Sequence, residues 1–239
     1  MVEDKDWGYK SVRMRKETSM RTQIGVIVGA LALAGCTYGG GDMGDPATRK
    51  FHWFSYVAGD DIKAACQPGT PDRFRLVYNG RYDQQLRMYE VDSVRHVLNA
   101  KVTKPADVGR VSGDDLLAPW RAVEASTPLG QPAYDALVSS FEAAGLFGAP
   151  AVGRELPSHG FHWTAASCKD GQFRFTGWAY PETDLMALPF VAPLMVADGT
   201  GVALNRPGAI AYDPQYEDSL RRGQVTSFRL KVGENGMVR

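Results

Sequence analysis

The sequence predicts an α+β fold: an antiparallel sheet built from hairpins, with helices packed on one side of it. Three observations carry that prediction. Segments 73–91 and 161–180 each place apolar-rich runs on both sides of a glycine-containing turn, as antiparallel hairpins do. Residues 132–144 repeat apolar side chains at helical spacing. Strands and helices do not alternate in the rhythm of a parallel sheet. Composition agrees: 44% of the 239 residues are hydrophobic and 10% aromatic, enough for a core. Lys+Arg and Asp+Glu are equal at 27 each, which argues against a basic nucleic-acid binder and an acidic disordered tail.

In chain order, the first element is a short helix over 60–66, capped by Asp60. The first hairpin runs Arg73–Tyr78, turns at Asn79-Gly80, and returns over Arg81–Val91. An odd, three-residue loop with Gly80 in a left-handed bulge puts Phe74, Leu76, Tyr82 and Leu86 on one face. Ser112-Gly-Asp-Asp115 resembles a capping box ahead of Leu116, Leu117, Trp120 and Val123, with Pro119 kinking that helix. Residues 132–144 form a helix started by Pro132, striped by Tyr134, Leu137, Val138 and Phe141, and stopped at Gly145. The second hairpin runs Phe161–Cys168, loops through Lys169-Asp170-Gly171, and returns over Gln172–Tyr180. That loop sets Phe161, Trp163 and Ala165 across from Phe173, Phe175 and Ala179. His162, Thr164, Arg174, Thr176 and Trp178 take the other face, with His162 and Trp178 as cross-strand neighbours. Residues 185–197 are uncharged but hold Pro189 and Pro193, which exclude a regular helix or central strand. A last strand, Val225–Val232, buries Phe228, Leu230 and Val232 and shows Arg229 and Lys231. Phe51-His52-Trp53 echoes Phe161-His162-Trp163; the two readings are a duplicated strand unit and coincidence.

The N-terminus carries a different kind of signal. Residues 24–34 are uncharged, too short for a membrane span of about 20 residues but the size of a signal-peptide core. Arg13, Arg15, Lys16 and Arg21 precede them. Leu33-Ala34-Gly35-Cys36 then resembles the lipobox of bacterial lipoproteins. The resemblance implies a signal peptide over 1–35, cleavage before Cys36, two acyl chains on its thiol and usually a third on its amino group. Glu3, Asp4 and Asp6 do not suit such a leader, and a start at Met14 or Met20 would omit them. Thr37 rather than Asp follows the cysteine, which in this class points to the outer membrane, facing the periplasm.

Removing residues 1–35 takes six basic and four acidic residues, so the mature chain carries 21 against 23 and no polybasic patch. Residues 36–48 read as a lipidated flexible tether and 49–239 as a single α+β domain of about 190 residues. Of three cysteines, lipid takes Cys36; in an oxidising compartment Cys66 and Cys168 form a disulfide or remain two buried thiols, and the disulfide is the expectation.

Chemical signals are sparse. His159 and His162 have three-residue spacing but no Cys or carboxylate company, and no metal or cofactor is expected. No Gly-x-Ser-x-Gly elbow, Cys-x-x-Cys motif, phosphate loop or dinucleotide fingerprint occurs. Asp60-Asp61 and Asp114-Asp115 sit where helix caps are expected. Two features suit binding. His52, Trp53, His162 and Trp178 form either an exposed aromatic face or a second core. The stretch holding Pro189, Phe190 and Pro193 is either an extended core segment or a loop that docks on a membrane-protein partner. The leading expectation is a non-enzymatic, envelope-anchored accessory lipoprotein, held to the membrane by lipid on Cys36, that binds an envelope protein or stabilises a complex. The alternative is a periplasmic hydrolase or small-ligand binder using Ser158, His159 or His162.

Overall fold

A computed structural model describes residues 37–107, 109, 111–224 and 226–238. The leader, the lipobox and Cys36 lie outside the described residues, as does Val225 of the predicted last strand. Six antiparallel strands form the main sheet: β1 (Arg73–Gly80), β2 (Leu86–Asp92), β3 (Val97–Thr103), β4 (Val123–Pro128), β6 (Phe161–Lys169) and β7 (Gln172–Ala179), in the order β4-β3-β2-β1-β6-β7. A smaller sheet orders β5 (Glu155–Pro157), β8 (Arg229–Gly233) and β9 (Gly236–Val238) as β5-β8-β9. The α+β class and the antiparallel sheet of hairpins are as the sequence predicts.

The helices, however, cover both faces of the main sheet rather than one. Helices α1 (Pro46–Ala58) and α2 (Asp60–Ala65), with the small sheet, bury Trp53, Tyr56, Ile62, Leu156 and Leu230 against Val77, Met88 and Ala166. Helices α3 (Gln131–Ala143) and α4 (Val191–Ala197) bury Leu137, Phe141 and Leu194 against Leu76, Tyr89 and Trp163 on the opposite face. A fifth helix, α5 (Pro214–Arg221), is capped by Asp213 Oδ1, which accepts from the Gln215 and Tyr216 N–H groups.

With two buried faces, side-chain alternation no longer distinguishes inside from outside, and both hairpin registers shift. In the first, Gly80 stays in the strand and its N–H donates to the Gln85 carbonyl at 2.9 Å. The turn is the four residues 81–84, with Arg81 at φ 63°. Phe74 and Leu76 therefore share a face with Val91 and Tyr89, while Leu86 and Tyr82 belong to the other core. Asn79 is a clamp rather than a turn former: its Nδ2 donates to the Ser158 and Gly160 carbonyls at 2.9 and 2.7 Å. Gly80 is required by close approach, since a Cβ there would lie 2.9 Å from the Tyr78 ring. In the second hairpin Lys169 pairs with Gln172, so the turn is Asp170-Gly171 alone, at φ 51° and 71°. Two successive positive φ values suit the strand twist of a two-residue hairpin. Trp163 thus pairs with Trp178, and His162 with Ala179.

The chain N-terminal to the sheet is more ordered than a tether. Tyr38 and Met43 are buried, and Asp45 Oδ1 caps α1 by accepting from the Ala47 and Thr48 N–H groups. Phe51-His52-Trp53 lies in this helix and Phe161-His162-Trp163 in a strand, so the echo is no structural repeat. The capping bond at Ser112 forms, its Oγ accepting from the Asp115 N–H at 3.1 Å. The chain then makes only a 3-10 turn, Ala118–Trp120, before entering β4, because Pro119 cannot continue a longer ladder. Helix α3 and Gly145 at φ 80° match their prediction. Helix α4 forms despite Pro193, which sits in the first turn, where a missing N–H leaves no intrahelical bond unmade. Leu230 and Val232 of β8 are buried and Arg229 and Lys231 exposed, the predicted alternation. Cys66 and Cys168 form a disulfide, Cα–Cα 5.6 Å, that ties the end of α2 to β6.

Candidate functional site

The residues proposed for an aromatic face do not make one. His162 and Trp178 lie on opposite faces of the sheet because of the one-residue shift, and both are buried. Trp53 is buried edge-on to Tyr82, centroids 5.5 Å apart. His52 is half-buried against the Tyr38 ring. Phe190 is fully buried, 5.2 Å from Trp163 and 5.3 Å from Trp178 by ring centroids. Pro189 is exposed and Pro193 half-buried. Segment 185–197 is therefore core along Leu185, Phe190, Val191 and Leu194, the plain reading of its sequence, although α4 replaces the extended path.

His162 has the most perturbed environment of the histidines. It is 3% exposed, its Nδ1 has no hydrogen-bond partner among the described residues, and burial pushes its pKa down to about 3. Its strand partner Asn79 is committed to the 158–160 turn, and Ser158 Oγ accepts from the Phe228 N–H at 3.0 Å. Among the described hydrogen bonds none joins Ser158, His159 or His162 to a carboxylate; Ser158 instead ties the 158–160 turn to Asn79 of β1 and to Phe228, just before β8. The linkage consequence has a definite sign. A histidine near 6.5 unfolded and 3 folded binds more protons unfolded between those values, so stability falls as pH drops through that window. The limiting slope is about 1.4 kcal/mol per pH unit. His162→Gln is expected to flatten urea-unfolding stability between about pH 6 and 4.5 relative to the parent protein; equal slopes would assign the acid sensitivity elsewhere.

Sequence reasoning passed over two buried arginines. Arg75 forms the floor of a cleft of about 280 Å³ lined by Arg73, Glu90, Asp92 and Asn99. Its Nη1 donates to Asp61 Oδ1 at 2.7 Å and the Tyr56 carbonyl at 2.9 Å, Nη2 to Asp61 Oδ2 at 2.9 Å, and Nε to Glu90 Oε1 at 2.8 Å. The guanidinium also lies 3.9 Å from the Tyr56 ring centroid. Burial pushes the Asp61 carboxyl up, but its bonds to Arg75 and Arg73 outweigh this and hold it below its ordinary value. Arg75 is saturated, and the rim pairs cations with carboxylates, so the cleft has no single charge to offer a ligand.

Arg87 is fully buried on the other face. It donates to Asp198 Oδ2 at 2.8 Å, to Gln85 Oε1 at 3.0 Å and to the Val202 carbonyl. The Tyr89 hydroxyl donates to the same Asp198 oxygen at 2.5 Å. Tyr78 Oη donates to the Asn205 carbonyl at 2.6 Å, and Asn205 N–H to Gln85 Oε1 at 2.9 Å. Together these bonds strap residues 198–205 across the end of the sheet. In a strand read as half-exposed, Arg75 and Arg87 look like ordinary outward residues; their aromatic and apolar flanks were the signal.

Beyond this clamp, residues 209–213 are all exposed, including Ile210 and Tyr212, until Asp213 caps α5. Phe51 on α1 and Val111, Leu116, Leu117 and Trp120 on the loop before β4 are also exposed. No His/Cys/Asp/Glu group suited to a metal occurs among the described residues, and no described helix is long and apolar enough to cross a membrane. Comparison with family models, curated proteins and solved structures returned no match.

Proposed function

We propose that this chain is an envelope-anchored accessory lipoprotein, attached through lipid on Cys36 and facing the periplasm, that binds a protein partner rather than turning over a substrate. The observation that carries the partner reading is the strap at 206–213. It belongs to no helix or strand, it shows Tyr212 at 78% exposure beside Ile210, and among the described backbone hydrogen bonds none is made by residues 206–212. Its ends are held, by the Asn205 clamp on one side and, just past the Asp213 cap, by the Arg81 guanidinium 5.1 Å from the Tyr216 ring centroid on the other. A pre-positioned chain with unpaired backbone groups and two apolar side chains suits pairing with an extended partner segment at low ordering cost. Ser158 and His162 are committed to internal packing, which favours this reading over a hydrolytic one.

A photocrosslinking residue at position 212 of the full-length protein tests it. The expected result is a discrete adduct with one envelope protein, lost on Ile210→Asp while the unfolding midpoint stays unchanged. Failure to form an adduct, or one indifferent to Ile210→Asp, would reject docking through the strap.

A further inference from the structure

We infer that the folded domain sits flush on the bilayer, with the outward flank of α1 and the 111–120 loop as its membrane-facing surface. This rests on the lipoprotein reading. Its first support is reach. Tyr38 is 6% exposed, its N–H donates to Ser55 Oγ at 2.8 Å, and its ring meets Tyr56 edge-on at 5.0 Å. Cys36 precedes it by two residues, which span at most about 7 Å of extended chain. A lipid on Cys36 therefore leaves no tether on which the domain could swing.

Phe51 supplies the second support. It lies four residues before Ser55 on α1, hence on the same flank of the helix as the point where the chain enters, and it is 70% exposed. An exposed phenyl ring beside the acyl chains can enter the interfacial region with them.

The N-terminal end of α1 supplies the third. Arg49 Nη2 donates to the Trp120 carbonyl at 2.9 Å, and the Ala122 N–H donates to the Gly44 carbonyl at 3.0 Å. These bonds place exposed Leu116, Leu117 and Trp120 beside the start of the helix, about 15 Å along its axis from Ser55 at 1.5 Å per residue. Tryptophan favours the membrane–water interface, where one part of its ring is wet. Lys50, exposed on α1, suits anionic headgroups, while Arg49 is spent on the Met43, Gly44 and Trp120 carbonyls. On the loop, Asp115 is paired with Arg121 at 2.6 Å, and exposed Asp114 marks the edge that stays in water.

The tryptophans provide the test. After cleavage the chain keeps Trp53, Trp120, Trp163 and Trp178, of which only Trp120 is exposed, at 46%. The purified full-length lipoprotein is reconstituted into phosphatidylethanolamine–phosphatidylglycerol vesicles with or without brominated acyl chains. Bromine is expected to quench part of the emission, more strongly when placed near the headgroup than near the chain ends. Trp120→Phe should abolish that loss, and a run of about ten Gly/Ser residues inserted between Thr37 and Tyr38 should reduce it while leaving the lipid in place. The mass of the N-terminal peptide is read from the same sample. An acylated protein whose emission ignores bromine overturns the seating alone, and a crosslink from position 120 to another protein would then make the patch a protein interface. A peptide without acyl chains overturns the lipoprotein reading and the seating with it.

Discussion

Replacing the Cys66–Cys168 disulfide, as Cys66→Ala/Cys168→Ala, is expected to lower unfolding stability by about 4–5 kcal/mol, the chain-entropy figure for closing a loop near 100 residues. The bridge spans 102 residues of sequence and joins the end of α2 to the end of β6. Between its ends lie β1 to β4, α3 and β5, so without the bridge the unfolded ensemble regains the closure entropy of one long loop. A domain of this kind is typically stable by about 5–15 kcal/mol, so the loss is a large share of the total. Urea unfolding of the parent and the double variant under identical oxidising conditions measures it. Midpoints that coincide would mean that the bridge adds no net constraint. Alanine is chosen because Cys168 is buried, and a serine hydroxyl there would add a separate desolvation cost.

Asp198→Ala is expected to cost about 3–5 kcal/mol, the range for removing one partner of a buried ion pair. The mechanism is the stranded charge of Arg87, which has no solvent exposure and would keep only neutral acceptors, Gln85, the Tyr89 hydroxyl and the Val202 carbonyl. Arg87→Met combined with Asp198→Ala should be less damaging than Asp198→Ala alone, because it removes the charge that the single change strands. The same single variant should loosen residues 198–205 and with them the strap beyond. Hydrogen–deuterium exchange of the 198–205 backbone amides reads that directly, as faster exchange than in the parent. Equal stability losses in the single and double variants would show that packing, not the buried charge, dominates at this position.

Both predictions depend on residues far apart in sequence, and that separation marks where the sequence stops being informative. Cysteine pairing was legible once the compartment was inferred, because only two thiols remained to pair. Arg87 and Asp198 lie 111 positions apart, and neither has a local feature that names the other. Helix α3 was legible because one apolar stripe faces one core; Leu137 and Phe141 fall where the spacing puts them. Helix α1 was missed although Asp45-Pro46 is an N-cap followed by a first-turn proline, because the glycine- and aspartate-rich stretch before it read as solvated chain.

The sequence by itself determined the existence of both hairpins, the helix after Gly130, the alternation of β8 and the expectation of an export leader. Each is a local property, set by φ preferences or by a period within a dozen residues. Only the tertiary structure decided the registers of the hairpins and the fate of the candidate aromatic face. A one-residue slip exchanges the two faces of a strand, and pattern detects it only when one face is wet. Here α1, α2 and the small sheet cover one face while α3 and α4 cover the other, so both sets of side chains are dry and either register satisfies the pattern. The Asp170-Gly171 turn chose between them, separating His162 from Trp178. Phe51, Trp120 and Tyr212 are among the apolar side chains that this packing leaves open to a membrane or a partner.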